Sequence, residues 1–173
     1  MCNLTIGYCA PDICNALIEV PQGSKVKYEY DYETKLMFVD RILHSSVVYP
    51  YNYGFIPQTL AEDDDPLDIM VIMREPVAPG CYLKARIIGV LHMIDNGEQD
   101  DKIIAVHNDD PEYNLYNSIN DLSPHTLLEI KTFFEDYKKN EKKSVIVEGY
   151  ECADIAKNII SKCAKNYVEN FEK

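Results

Sequence analysis

The 173-residue sequence lacks both an excess of basic residues and long hydrophobic runs. Its 17 Lys and Arg stand against 29 Asp and Glu, which gives a net charge of −12. A surface of this sign repels nucleic acid and anionic membranes and attracts divalent cations. No segment approaches the ~20 apolar residues that a membrane span needs. The composition therefore argues against a nucleic-acid-binding protein and against a membrane protein.

Signals of secretion and of common cofactor sites are also missing. The first 20 residues have no basic segment, and Asp12 interrupts their apolar stretch, which argues against a signal peptide. The six cysteines form no CxxC pair, so buried thiols are favoured over disulfides or a zinc site. The sequence contains no P-loop, repeat or linker. We expect one cytoplasmic domain over residues 1–173, with residues 1–13 as an N-terminal extension.

Hydrophobic patterning predicts β structure in the first two-thirds of the chain and helices in the last third. Strands are predicted at residues 14–20, 26–31, 36–41, 68–73, 82–94, 102–106 and 145–147. Ser123 and Pro124 are suited to begin a helix that runs to about Tyr137. A second helix is expected over about 152–171, with Ile155, Ile159, Ile160, Cys163, Tyr167 and Phe171 on its inner side. This order favours an α+β fold, mainly β, in which two helices pack on a small closed β-barrel.

The acidic run from Glu62 to Asp68 leads directly into a predicted strand. In an extended chain Asp63 and Asp65 would face the same way, and Pro66 would set a turn that brings Asp68 beside them. Carboxylates packed this closely repel one another unless cations lie between them. An EF-hand calcium loop is excluded, because the sixth position from Asp63 is Asp68 rather than glycine. A solvated acidic loop is the alternative interpretation.

A second acidic segment, residues 95–101, follows the longest predicted strand and contains the turn signal Asn96-Gly97. Alone it would be a polar hairpin. Together with the first acidic run it favours Mg²⁺, which prefers oxygen ligands. The four histidines show no metal-ligand spacing, and we interpret them as ordinary core or surface residues. A polyphosphate suits a site that mixes carboxylates with cations, and cations lie on the same segments: Lys27, Arg41, Lys102 and Lys138.

The run Asp63-x-Asp65-Pro66-x-Asp68 resembles the D-x-D-P-x-D signature of the soluble family I inorganic pyrophosphatases. Further blocks are similar to motifs of that family, in the same order: Ile18-Glu19-Val20-Pro21, Lys27-Tyr28-Glu29, Phe38-Val39-Asp40-Arg41, Tyr49-Pro50-x-Asn52-Tyr53-Gly54, Phe133-Phe134-Glu135-x-Tyr137-Lys138 and Val147-Glu148-Gly149. The resemblance runs from about residue 14 to the C-terminus. It implies a five-stranded OB-like barrel, Mg²⁺-dependent hydrolysis of pyrophosphate to two orthophosphates, and a homo-oligomer such as a hexamer.

The resemblance also implies a role for each matched polar residue. Asp65 would be the base that takes a proton from the attacking water, and Arg41 and Tyr53 would act beside it in catalysis. Several Mg²⁺ ions per active site would be held by Asp63, Asp68, Asp95 and Asp100, and through water by Glu19 and Glu29. The phosphates would be bound by Lys27, Arg41, Tyr53, Lys102, Tyr137 and Lys138. Asp64, Asp101 and the acidic stretch 107–112 receive no role from this pattern.

Three other functions fit parts of the sequence. A metal-dependent hydrolase of nucleotides would use the same acidic runs, but no base-binding platform is apparent. An OB-type module for single-stranded nucleic acid could stack bases on the 13 tyrosines, although such modules need a basic groove. An inactive homologue that serves as a scaffold would not require the complete set of matched polar residues. Assays with pyrophosphate and ATP, and a labelled oligonucleotide, separate these possibilities.

Overall fold

A computed structural model describes residues 4–171 of the chain. Two α-helices and nine strands follow one another in this part, in the order β1 (Ile13–Val20), β2 (Val26–Tyr30), β3 (Met37–Ile42), β4 (Asn52–Phe55), β5 (Asp68–Ile72), β6 (Cys81–Asp95), β7 (Glu98–Gln99), β8 (Lys102–His107), α1 (Pro124–Asp136), β9 (Val145–Cys152) and α2 (Ala153–Phe171). Short 3-10 turns lie at Ile119–Asp121 and Lys139–Glu141. The cysteines of the described part are free thiols, and Cys2 lies outside it.

Five strands close into a ring in the order β1-β4-β5-β8-β6, with β6 pairing back to β1. Strands β5 and β8 are parallel, and the other neighbours in the ring are antiparallel. Strands β7 and β9 extend the sheet from β6, while β2 and β3 form a separate hairpin. The predicted α+β fold with a five-stranded closed barrel is confirmed. Ring closure matters for function because it brings distant segments of the chain to one rim.

The long strand β6 contacts β1, β8 and β9, and its register against β8 shifts between Ile87 and Gly89. This irregularity is a β-bulge next to Gly89. A Cβ at this position would lie 2.8 Å from the carbonyl oxygen of Glu151, so only glycine lets β9 approach here. The bulge thus allows one strand to serve both the ring and the β9 extension.

The sequence patterns did not predict strand β4, because all four of its residues are buried and no alternation marks it. Its one strongly polar side chain, Asn52, is satisfied internally. The Oδ1 atom accepts from the backbone N–H groups of Gln22 and Val77, and Nδ2 donates to the carbonyl oxygen of Glu75. At Gly54 a Cβ would lie 1.9 Å from the carbonyl oxygen of Leu17. Strand β4 therefore fits the ring through buried polar contacts and close backbone approach.

Buried side chains form two clusters, one packed on each helix. Helix α1 contributes Ile130, Phe133 and Phe134 to the first cluster. Helix α2 contributes Ala156, Ile160 and Cys163 to the second. The predicted inner side of α2 was partly wrong, since Ile155 and Phe171 are exposed: the contact face follows the small Ala156 instead. Within residues 4–171 neither helix is long and apolar enough to cross a membrane.

Candidate active site

A cavity of about 320 Å³ opens at the rim of the barrel, where β2, the loop before β5, the start of β8 and the end of α1 meet. Nearly all of the sequence-predicted site residues line it. The lining consists of Glu19, Lys27, Glu29, Tyr30, Tyr32, Tyr49, Tyr53, Phe55, Asp63, Asp65, Pro66, Asp68, Asp95, Asp100, Lys102, Tyr137 and Lys138.

The first acidic run forms a turn rather than an extended segment. Asp64 adopts a positive φ of 65°, and the backbone N–H of Asp65 donates to Oδ1 of Asp63 over 3.2 Å. The prediction that an extended chain aligns these carboxylates was therefore wrong in its local geometry, because the turn is closed by the Asp63 side chain. Asp63 and Asp65 still reach the same cavity, whereas Asp64 is exposed outside it. Asp68 joins them from the first residue of β5.

Lys102 is the electrostatic centre of this rim. Its side chain is only 3% exposed, and its ammonium group donates to both Asp68 and Asp100. Burial opposes the charged form, but the attraction of Asp68 and Asp100 outweighs it and raises the pKa of Lys102. A cation is thus already fixed between one carboxylate at the start of β5 and another in the connection that precedes β8.

Burial also acts on the carboxylates themselves. It raises the pKa of both Asp63 and Asp65, and in each case the nearby charge of Asp68 adds to the increase. Burial raises the pKa of Glu19 to about 8, although its Oε1 accepts a 2.8 Å hydrogen bond from the backbone N–H of Tyr30. Several acids share one low-dielectric space, and they resist ionising together unless more positive charge is supplied.

The residues present fit divalent metal ions. Oxygen donors from Asp63, Asp68 and Asp100 face one cavity, and Asp95 ion-pairs with Lys138 at its far side. Oδ1 of Asp95 is buried and has no hydrogen-bond partner within residues 4–171. An orphaned carboxylate oxygen in a polar cavity has unused capacity to coordinate a cation. In that same part of the chain no three acidic, His or Cys side chains are grouped in ready metal-binding geometry, because the lysines pair with the carboxylates.

Tyrosines form another part of the cavity wall. Tyr53 and Tyr137 are buried, and burial raises the pKa of each phenol well above its usual value. They remain protonated at neutral pH and can donate hydrogen bonds to anionic oxygens. The Lys102 ammonium lies 5.9 Å from the ring centroid of Tyr53, and that of Lys138 lies 5.1 Å from the centroid of Tyr137. The ring of Tyr49 packs in a tilted arrangement on that of Tyr53, with 5.2 Å between the two ring centroids, and Tyr49 also lines the cavity.

Some lining residues were not among the predicted site residues: Tyr30, Tyr32, Tyr49, Phe55 and Pro66. Strict alternation along β2 would put Tyr30 on the face opposite Lys27 and Glu29, yet it lines the same cavity. The strand β2 is paired with β3 through a register shift after Lys27, so simple alternation fails there. Tyr49 lies in one of the motifs identified in the sequence, but no residue spacing connects that motif with the acidic runs.

Arg41 is the predicted site residue that does not line the cavity itself. It lies at the margin as the cross-strand partner of Lys27, which does line it. Its Nε donates to Oδ2 of Asp40 and its Nη1 to Oε2 of Glu141, each over 2.7 Å. Burial opposes its charge, but the hydrogen bond and charge of Asp40 outweigh burial and raise the pKa of Arg41. Lys27 pairs in turn with Glu29 at 2.5 Å.

Two acidic features that lacked a role receive structural ones. Asp101 points away from the cavity, and its Oδ1 bonds to Nδ1 of His92 at 2.8 Å and to the amide of Gln99 at 2.6 Å. His92 is thus held between two acidic side chains, since its Nε2 also lies 3.4 Å from Oε2 of Glu151. In the stretch 107–112, the buried carboxylate of Asp110 accepts from the backbone N–H groups of Arg74 and Glu112. Asp101 thus holds the side chains of His92 and Gln99, whereas Asp110 holds the backbone at Arg74 and Glu112.

A family model described as inorganic pyrophosphatase matches residues 16–168. The chain belongs to the inorganic pyrophosphatase family. Soluble inorganic pyrophosphatase 2 of Chlamydomonas reinhardtii is 57% identical over 169 residues, covering 98% of this chain and 88% of that protein. Soluble inorganic pyrophosphatase PPA1 of Solanum tuberosum is 58% identical over 167 residues, covering 96% and 79%.

Solved structures of the family agree with the fold. The inorganic pyrophosphatase of Thermus thermophilus superposes with a TM-score of 0.92 at 38% identity, covering 95% of this chain and 97% of that one. A structure from Anaplasma phagocytophilum, titled as an inorganic phosphatase, gives a TM-score of 0.92 at 40% identity, covering 95% and 99%. The cavity therefore lies in a scaffold shared across the inorganic pyrophosphatase family, whose members depend on metal ions.

Proposed function

We propose that this chain hydrolyses inorganic pyrophosphate to two orthophosphates with the help of Mg²⁺. The observation that carries the proposal is the cavity lined by both aspartates and lysines, with the buried Lys102 between Asp68 and Asp100. Pyrophosphate is highly anionic and is recognised by cations, while carboxylates hold the metal ions that neutralise its remaining charge. Family membership supports the same reaction.

Asp65 is proposed as the general base. It lies on the acidic turn beside Asp63 and lines the cavity. Unlike Asp68 and Asp100, it forms no ion pair with a lysine within residues 4–171. Burial raises the pKa of Asp65, which makes it a better proton acceptor than an ordinary aspartate. Water attacks one phosphorus, the bridging P–O bond breaks, and the proton lost by the water passes to Asp65. Orthophosphate leaves with the former bridging oxygen.

The metal sites are proposed at Asp63, Asp68, Asp95 and Asp100, with Glu19 and Glu29 acting through water. Mg²⁺ bound there would lower the pKa of a coordinated water and neutralise phosphate oxygens. The protein would keep these carboxylates ionised once the ions are present, because the added positive charge opposes the effect of burial. The unsatisfied Oδ1 of Asp95 supports its place in this set.

The phosphates are proposed to bind Lys27, Lys102 and Lys138, the phenols of Tyr53 and Tyr137, and Arg41 at the margin. Fixed donors stabilise the charge that spreads over the transferring and departing phosphoryl oxygens, and they need no reorganisation during the reaction. The lysines are already oriented by carboxylates and by the Tyr53 and Tyr137 rings. Arg41 and Tyr53 are proposed as catalytic for this reason.

Phosphate release tests the proposal directly. The protein is incubated with pyrophosphate over a Mg²⁺ titration, with an EDTA control and with ATP in parallel. We expect Mg²⁺-dependent release from pyrophosphate and little from ATP. Comparable release from ATP would favour a broader phosphoanhydride hydrolase. No release from folded protein with several metals would contradict an enzymatic function and favour the scaffold alternative.

We also propose the domain bounds, oligomeric state, location and lack of nucleic-acid binding that the sequence predicts. A single domain over residues 1–173 with an extension over 1–13 is tested by limited proteolysis, although residues 1–3 lie outside the described residues. A homo-oligomer such as a hexamer is tested by size-exclusion chromatography with light scattering. A cytoplasmic location is tested by cell fractionation, and the absence of nucleic-acid binding by an oligonucleotide shift assay.

A further inference from the structure

Glu141 is an unusually buried acid at the end of the Lys139–Glu141 turn, just after the cavity residues Tyr137 and Lys138. Its side chain is 7% exposed. Oε2 accepts the 2.7 Å hydrogen bond from Arg41 Nη1, while Oε1 is buried without a partner within residues 4–171. Lys143 lies 3.7 Å from Oε2 but is itself largely exposed. No sequence pattern pointed to Glu141.

The guanidinium of Arg41 is held on two edges. Asp40 accepts from Nε and Glu141 accepts from Nη1, so the described hydrogen bonds leave Nη2 for another acceptor. A planar guanidinium fixed in this way keeps its remaining donor in one plane, which suits a phosphate oxygen. Arg41 is also the register partner of the cavity residue Lys27. The Nη2 edge of the Arg41 guanidinium therefore lies at the margin of the proposed phosphate site.

Stability alone does not account for Glu141. A buried ion pair gives little net stability because desolvation offsets its Coulomb energy, and an unpaired buried oxygen adds a further cost. Arg41 would keep Asp40 as a partner if Glu141 were neutral, so the fold does not need this carboxylate to compensate the arginine. Buried groups that cost stability are found where a side chain must be held in one geometry.

We propose that Glu141 is a positioning residue that orients Arg41 for binding a substrate phosphate, an inference that rests on the proposed function. The ion pair joins the β2–β3 hairpin, which carries Lys27 and Arg41, to the turn that follows Lys138. A second contact lies close by, since the Asn140 side chain donates over 2.9 Å to the carbonyl oxygen of His44, which follows β3. Cations from two parts of the chain thereby keep fixed relative positions.

Glu141→Gln is the first test, because it keeps the size and one acceptor while removing the charge. We expect kcat to fall about tenfold or more, since small misplacement of a catalytic group is costly, while KM changes less. The thermal midpoint should stay within about 4 °C of the unmutated protein. Glu135→Gln is the matched control: Glu135 forms an exposed ion pair with Lys131, and its loss should leave kcat unchanged.

A double-mutant cycle with Arg41→Lys separates positioning from a general structural effect. If Glu141 acts through Arg41, Glu141→Gln should change kcat by less than about twofold in the Arg41→Lys background. Equal losses in both backgrounds, or an unchanged kcat in the single variant, would overturn the inference. Glu141→Asp, which retains a carboxylate, is used in the same cycle if Glu141→Gln does not fold.

Phosphate binding distinguishes failure of this inference from failure of the proposed function. If the unmutated chain releases no phosphate, binding of inorganic phosphate in the presence of Mg²⁺ is measured by calorimetry. Weaker binding in Glu141→Gln, with no further loss in the Arg41→Lys background, supports the inference without any turnover. Equal phosphate affinity in the unmutated protein and Glu141→Gln overturns it.

Discussion

Neighbouring aspartates in this chain occupy opposite environments. Asp65 lines the cavity and Asp64 does not; Asp100 lines the cavity and pairs with Lys102, while Asp101 lies outside it and pairs with His92. The first pair lies in the acidic turn, and the second lies in the short connection between β7 and β8. Adjacent residues of one type therefore provide matched controls for one another.

Asp65→Asn is expected to lower kcat by about 10²- to 10⁴-fold, because the amide cannot accept the proton of the attacking water. The thermal midpoint should change little, since Asp65 is partly exposed and its backbone keeps the bond to Asp63. Asp64→Asn is the control, because Asn tolerates the positive φ of this exposed turn residue. Steady-state phosphate release and a thermal melt check both variants. Near-normal turnover in Asp65→Asn would remove Asp65 from the role of base.

The environment of Asp110 leads to a prediction about the stability of the fold at low pH. Burial opposes its charge, but the hydrogen bonds from the N–H groups of Arg74 and Glu112 outweigh burial and lower the pKa of Asp110. Its contribution to stability is therefore present above the pKa of about 3.9 in the unfolded chain and is lost as pH falls through the lower folded value. Asp110→Asn should reduce the free energy of unfolding at pH 7 by about 1–3 kcal/mol and weaken the dependence on pH below 4.

Urea unfolding at several pH values checks the Asp110 prediction, with Asp109→Asn as the control. Asp109 is the exposed neighbour and accepts only a side-chain bond from Asn108. A loss of stability that is equal for the two variants would mean that acidity in this stretch, rather than the backbone hydrogen bonds of Asp110, is what matters.

At the scale of elements, helix α2 holds the segment that carries the acidic turn. The backbone N–H of Leu60 donates to the carbonyl oxygen of Cys163 over 2.9 Å, and Nδ2 of Asn166 donates to the carbonyl oxygen of Leu60 over 3.3 Å. Lys162 pairs with Glu62 at 2.8 Å. The backbone of Leu60, which precedes Asp63 and Asp65, is thus held at both its N–H and its carbonyl group by a helix that lies outside the cavity lining.

Asn166→Ala is expected to raise the Mg²⁺ concentration for half-maximal activity about two- to tenfold, the factor that corresponds to one hydrogen bond worth about 0.5–1.5 kcal/mol. The physical reason is that a looser turn presents Asp63 and Asp65 less well. Asn170→Ala, one turn later, removes only a bond to the carbonyl oxygen of Asn166 and serves as the control. A Mg²⁺ titration of phosphate release measures the shift. An unchanged midpoint would mean that α2 supports the fold without influencing the acidic turn.

At the scale of the whole molecule, the acidic side chains that give the chain its excess negative charge lie closest together in the cavity. The chain has a net charge of −12, and burial together with neighbouring carboxylates raises the pKa of several cavity acids, including Asp63 and Asp65. Divalent cations that bind only the folded protein relieve this repulsion and shift the folding equilibrium towards the native state.

Mg²⁺ at about 100 times its dissociation constant is therefore expected to add about 2.7 kcal/mol per site to the free energy of unfolding. EDTA should reverse the effect. Thermal melts with Mg²⁺, with EDTA and with added NaCl at matched ionic strength check this, the last as a control for screening. An equal rise of the midpoint with NaCl would show that general screening, rather than a metal site, relieves the repulsion.

Much of the fold could be predicted from local pattern. Strands β1, β2, β5, β6 and β8 and helix α1 begin and end near the predicted residues, because alternation, glycine and the Ser123–Pro124 start are local signals. Strand β4 escaped prediction because burial on both faces removes alternation. The strand β9 was predicted only over residues 145–147, but it continues through Cys152 directly into α2.

The kind of chemistry that the protein carries could be read from the chain alone, because acidic runs, interspersed cations and a matched set of motifs indicate a metal-dependent phosphate site. The arrangement of those residues follows from the folded structure. The pairing of β5 with β8 sets Lys102 between Asp68 and Asp100, and Arg41 of the β2–β3 hairpin contacts Glu141, 100 residues away in the sequence. Such contacts depend on strand register and on the meeting of remote segments, which no local pattern of residues encodes.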